Sequence, residues 1–161
     1  MARYSALADR DRLGDRYLDL DSPLSRVLRH APYLTGCSDD KSVKFHRPRH
    51  LAVGKSYMQL NPPTGVAWLI FDLDHPNPFI WDQWGPSALP PPNLIVQDPL
   101  SLKSHLLYAV APICTTEKGR RKPQTYMRAV YAAMCARLHA DADYHSGPLA
   151  KTPGHPKWRT L

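Results

Sequence analysis

The chain has 161 residues, a length that suits one domain (1–161) with residues 1–21 as a loosely attached arm, and 43% hydrophobic content is enough to build a core. A net charge of +7 and a pI near 9.5 favour a polyanionic partner such as nucleic acid. No apolar run is long enough to span a membrane, and the charged start MARYSALADRDR lacks the apolar stretch of a signal peptide, so membrane and secreted classes are set aside.

Three scattered cysteines, Cys37, Cys114 and Cys135, form no CxxC pair. They exclude a disulfide framework and a zinc ribbon and read as buried thiols of a soluble, cytoplasmic protein. Charge is unevenly spread. Residues 61–100 hold four aspartates and no Lys or Arg, whereas both flanks are rich in cations. A metal site on a nucleic-acid-binding surface has this pattern; so does a buried sheet, which excludes Lys and Arg for its own reasons.

Residues 1–21 mix Arg and Asp with few large apolar side chains and support at most a marginal helix or an arm. Ser22 as cap, Pro23 in the first turn and the stripe Leu24, Val27, Leu28, Ala31 predict a helix ending near Pro32. Residues 35–50 predict a loop and a short strand presenting Lys41, Lys44, His46, Arg47, Arg49 and His50. Short strands are expected near 51–53 and 56–60. The run VAWLIFDLD (66–74) predicts the strongest strand, followed by the turn-rich HPNP. A short helix is expected at 79–85, then strands at 93–97 and 104–113 joined as a hairpin. Pro123 opens one long helix to about His139, with Met127, Val130, Tyr131, Met134 and Leu138 as its buried stripe. The last twenty residues are rich in Pro and Gly, yet Tyr144, His145, Lys151, His155 and Trp158 predict that they pack on the domain. The order of elements predicts a mixed α/β (α+β) fold with a mainly antiparallel sheet.

Two places carry chemistry. Residues two apart on a strand share a face, so Asp72 and Asp74 in FDLD project together from the strand end. Two carboxylates with no cation beside them in sequence repel, and a divalent ion relieves this; oxygen-only ligands suit Mg²⁺ or Mn²⁺. The plainer alternative is a strand-to-loop junction in which one Asp caps the turn before Pro76. The second place is Lys103-Ser104-His105 at the start of a strand. Lys103 and His105 share a face there and are candidates to hold a nucleotide triphosphate by charge-assisted hydrogen bonds; a structural histidine is the alternative. Asp141 and Asp143, past the long helix, are candidates for a third acid.

The hydrophobic run ending in DLD (LIFDLD), the strand KSHLLYAV and a later acid together resemble the archaeo-eukaryotic primase superfamily. The wording is closest to its plasmid replicase branch, the Rep initiators of small theta-replicating plasmids. The matching pieces are YMQLNPP (57–63), FDLDHP (71–76), LPPPN (89–93), SHLLYAV (104–110) and YHSGPLAKTPGHPKW (144–158), in family order over roughly residues 50–160.

The resemblance implies an RRM-like catalytic sheet, Asp72 and Asp74 as metal ligands, and His105 at the nucleotide phosphates. It places the third acid on Asp141, three residues before Tyr144, with Asp143 the alternative. It implies a primase–polymerase that joins NTPs (or dNTPs) on single-stranded or origin DNA in a bacterial cytoplasm, with a host replication polymerase as a further partner. A C-terminal origin-recognition part is expected to lie outside this chain. Lys151 and His155 join Lys103, Ser104 and His105 as nucleotide-binding candidates, although the family's Lys-Asn-Pro reads Lys151-Thr152-Pro153 here.

For nucleic acid, Arg47, Arg49 and Lys55 with Tyr57 combine charge with an aromatic ring suited to a single strand. Arg120, Arg121 and Lys122 stand at the start of the long helix, against its macrodipole, which suits a phosphate partner; a solvated charge run is the plainer alternative. Competing readings are a non-catalytic origin-binding module and a metal-dependent nuclease. The nuclease lacks the paired metal histidines of a nicking enzyme.

Overall fold

The computed structural model describes residues 22–77, 89–144 and 149–161. The expected arm at 1–21 and the helix at 79–85 lie outside the described residues. Helix α1 (Pro23–His30) is capped by Ser22, whose hydroxyl accepts the Ser25 N–H at 3.1 Å. Strands β1 (Leu34–Ser38) and β2 (Phe45–Pro48) form a hairpin, followed by a single helical turn, α2 (Arg49–Ala52). Strands β3 (Tyr57–Met58), β4 (Gly65–Leu73), β5 (Leu94–Gln97) and β6 (Ser104–Cys114) come next, then helix α3 (Arg121–Leu138) and the short strands β7 (Ala150–Lys151) and β8 (Arg159–Thr160).

The strands make two antiparallel sheets, ordered β2-β1-β3-β7 and β4-β6-β5-β8. The fold is α+β, as the order of elements predicted. Two local expectations are corrected. Residues 51–53 are not a strand: 49–52 form the helical turn, and Val53 N–H closes onto Arg49 O. Cys114 is exposed, while Cys37 and Cys135 are buried as expected. Helix α3 starts two residues earlier than Pro123, which falls within its first turn, where a missing N–H costs nothing.

Strand β4 organises the packing by its period of two. Trp68 and Ile70 point into one core with Val27, Cys37, Met58, Leu107 and Trp158, which joins the two sheets and α1. Leu69, Phe71 and Leu73 point the other way, against Met127, Val130, Tyr131 and Met134 of α3. Phe71 stacks on Tyr131 with centroids 4.7 Å apart. Each such large side chain contributes about 1.5–3 kcal/mol by leaving water. The layers are therefore sheet, sheet, helix.

Asn61, from the segment YMQLNPP, has a structural task. The register of β4 and β6 slips between Val66 and Trp68, and the buried Asn61 side chain satisfies the freed backbone. Its Oδ1 accepts the N–H groups of Ala67 and Trp68, and its Nδ2 donates to Trp68 O. The described residues of the C-terminal segment pack as expected, while His145 lies outside them. Trp158 is buried and donates its indole N–H to Ser56 O at 2.7 Å, and β8 pairs with β5.

Candidate active site

The alternation that buries Trp68 and Ile70 puts Asp72 on the same face, at the end of β4. Register pairs Asp72 with His105, and His105 with Val96 on its other side. Two residues separated by more than thirty positions thus become direct cross-strand neighbours. His105 Nε2 lies 3.2 Å from Asp72 Oδ1. His105 Nδ1 accepts the backbone N–H of Lys151 at 3.1 Å, so the ring hydrogen sits on Nε2, facing the carboxylate. That N–H is close to Asp72 without being aligned as a full hydrogen bond. The first sheet, through β7, is in this way fastened to the end of the second.

Electrostatics follow from burial. His105 is completely buried, which drives its pKa down to about 4 against the upward pull of Asp72, so the ring is neutral near pH 7. Burial opposes the charge on Asp72, but the His105 imidazole, with Lys151 and Lys41 beyond it, outweighs that cost and holds the carboxyl below its ordinary value. Burial also lowers the pKa of the Lys151 ammonium, while Asp72 pulls it up. Asp74 stands just past the strand, exposed, and Lys103 Nζ reaches its Oδ1 at 3.1 Å. The acid pair therefore has cations around it in space that the sequence, free of Lys and Arg from 61 to 100, did not reveal.

Lys103 is placed by the turn between β5 and β6. Asp98 accepts from Leu100 N–H and the Ser101 hydroxyl, and Leu102 adopts a positive φ of 58°. Ser104 is buried and faces away from the acids, paired with Leu73 and Gln97. Asp141 is fixed at the same end of β4, its N–H donating to Asp72 O at 2.8 Å. Its carboxylate accepts the Asp143 N–H at 2.9 Å, and Asp143 itself is exposed. Of the two candidates, Asp141 is the one held against the strand carrying Asp72.

Beyond Lys151, the register continues to Tyr57 and Ser38. The Tyr57 ring carries Lys41 Nζ at 4.9 Å and Lys157 Nζ at 5.8 Å, and meets Trp158 edge-on at 5.3 Å. Lys41, on the β1–β2 turn, and Tyr144, whose ring lies 5.3 Å from that of His105, are neighbours of the site that sequence reasoning did not select. Proximity of Lys41 rests on a hairpin that its composition barely signals.

The other predicted positions scatter. His155 is partly buried, with Nδ1 accepting the Lys157 N–H. Lys55 is paired with Asp39 at 2.6 Å, and the Arg49 guanidinium donates to the carbonyls of Arg29 and Ala31. Arg47 is exposed on the sheet-edge strand β2. Arg120, Arg121 and Lys122 lie at the Cys114 end of β6, where Gln124 of α3 bonds Cys114 O. Nine residues of strand separate that end from His105, roughly 30 Å.

Among the described residues no three or more His, Cys, Asp or Glu gather as a metal cluster. The donor chemistry of Asp72 and Asp74 is of the kind a hard divalent ion takes. They offer oxygen donors only, the Asp72 side chain keeps 12% exposure, and Mg²⁺ takes one or two carboxylates while water and substrate phosphate fill the rest.

The arrangement defines an α+β domain with a buried His–Asp pair and a lysine-rimmed carboxylate edge. The replicase family's sequence model matches residues 28–161, and the chain belongs to that family: it is a replication protein. No curated protein and no solved structure matches it. No helix among the described residues is long and apolar enough to cross a membrane.

Proposed function

We propose that this domain carries out DNA-templated nucleotidyl transfer, making a primer on single-stranded or origin DNA when plasmid replication starts. The primer 3′-oxygen would form a bond to the α-phosphorus of an incoming NTP, or dNTP, as the bond to pyrophosphate breaks and the hydroxyl proton passes to solvent water. The observation that carries this reading is Asp72, ionised and directly paired with a neutral, buried His105 at a strand end ringed by Lys103, Lys151 and Lys41.

A Mg²⁺ or Mn²⁺ ion held by Asp72 and Asp74, with Asp141 adjacent, would supply charge neutralisation at the triphosphate and activate the attacking hydroxyl. The protein's own groups prepare this. His105, anchored by the Lys151 backbone, orients Asp72 and is a positioning residue in this reading rather than a phosphate ligand. Lys103 would exchange Asp74 for substrate phosphate, and Lys151 and Lys41 add positive charge on the side of the first sheet. Tyr57, with Lys41 and Lys157 over its ring, offers ring and charge to a single-stranded template, while Arg47 stands on the other face of the first sheet. Extension by a host replication polymerase would follow.

A non-catalytic DNA-binding module is the rival. It gives no role to a buried His–Asp pair at a carboxylate edge. Labelled NTPs, origin-containing single-stranded DNA and Mg²⁺ or Mn²⁺ test the proposal. Short labelled products that need both metal and template are expected. Absence of products together with absence of metal-dependent NTP binding would overturn it.

A further inference from the structure

The cations of α3 have no part in the site, and three of them, Arg121, Lys122 and Arg128, flank one surface. From Lys118 to Arg137 the chain carries six Lys or Arg and no acid. At 100° per residue the exposed positions Thr125, Ala129, Ala132 and Ala136 form a narrow stripe along the outer side of α3, opposite the side packed on β4 and β6. Arg121 and Arg128 border the stripe on one flank and Lys122 on the other, all exposed. None of the three makes a salt bridge among the described residues.

The helix start is rigidly mounted. Gln124 Nε2 donates to Cys114 O and Thr116 O, each at 3.0 Å, and Gly119 lets the preceding turn lie so close that a Cβ would strike the Cys114 carbonyl. Arg120 provides no side-chain cap, no acid occupies the first turn, and three consecutive cations sit where the macrodipole disfavours them. An external anion resolves that conflict.

From these observations we infer that the outer face of α3 is a docking surface for the phosphate backbone of duplex DNA, separate from the carboxylate edge. Charge complementarity selects a polyanion. Alanines along the centre let a broad, stiff backbone approach closely but offer none of the large anchors on which protein interfaces depend. A flexible single strand would be expected to find stacking rings, and of this face only Tyr126 is aromatic. Arginine predominates, which suits phosphate. Arg121, Lys122 and Arg128 lie within the first eight residues of the helix, about 10 Å, close to three base pairs of phosphate backbone.

The test is equilibrium binding of a 20-base-pair duplex of mixed sequence by the whole chain, at several salt concentrations. Arg121→Gln/Arg128→Gln keeps helix propensity and removes two exposed charges. It should weaken duplex binding about tenfold or more near 0.1 M salt and reduce the log–log salt slope by about 2. The same double variant should keep the metal-dependent NTP binding that Asp72→Asn should lose, so failure of this inference is separable from failure of the polymerase reading. A folded double variant with wild-type affinity and slope would overturn the inference and leave the face for an acidic protein instead.

Discussion

The two ends of β6 share one strand and solve opposite problems. At the His105 end, polar groups are withdrawn from water and depend on neighbours for compensation: the Lys151 N–H finds Nδ1, and Asp72 has the imidazole and nearby lysines beside it. At the Cys114 end, the cations of α3 remain in water and need no internal partner to be tolerated. Burial makes the first end expensive to disturb; exposure makes the second cheap to change and free to bind.

The largest structural effect should come from removing the buried ring. His105→Leu strands the Lys151 N–H and leaves Asp72 without its imidazole, at a cost of about 2–4 kcal/mol in urea unfolding. A cost below about 1 kcal/mol would mean that the fastening of β7 to the second sheet contributes little. A pH series sharpens the same point. His105 binds its proton in the unfolded chain near 6.5 but in the folded chain only near 4. Between those values the unfolded state holds more protons, so stability falls as pH drops from about 6.5 to 4, by on the order of 3 kcal/mol for this group, and then levels. Burial lowers the pKa values of His155 and His30 as well, so both add to the same trend. The part lost in His105→Leu measures the share of His105.

The smallest effects belong to exposed groups. Lys103→Ala breaks an exposed ion pair and should change stability by no more than about 1 kcal/mol, while raising KM for NTP in the primer assay. Arg128→Gln at the far end should stay within about 0.5 kcal/mol of wild type. A large loss of stability in either variant would dissolve the contrast between the two ends.

Much of this was legible in the chain itself. VAWLIFDLD announces β4 by composition, and the apolar stripe of α3 names its buried face because both signals are local and periodic. Ser22, a side-chain cap with Pro23 after it, does the same for α1. The first sheet was mostly hidden: LTGCS and FHRP carry no clean alternation, and α2 replaces an expected strand because three residues of Leu-Ala-Val fit either state. At the site, Asp72 and His105 were identified separately from their strand positions. Their direct pairing was not, since register depends on how residues 74–103 close the sheet. Lys41 and Lys151 could not be seen as neighbours of Asp72, because two different sheets bring them there. Cys114 was misplaced indoors because a thiol alone does not say on which side of a strand end it falls.

The central claim is that Asp72 is a catalytic carboxylate rather than a strand terminus, and the isosteric variant Asp72→Asn addresses it most directly. Primer synthesis and unfolding should be measured on the same protein. A fall in synthesis of at least about a hundredfold, with stability within about 2 kcal/mol of wild type, is the predicted result. A folded Asp72→Asn protein that makes primers at the wild-type rate would contradict the account.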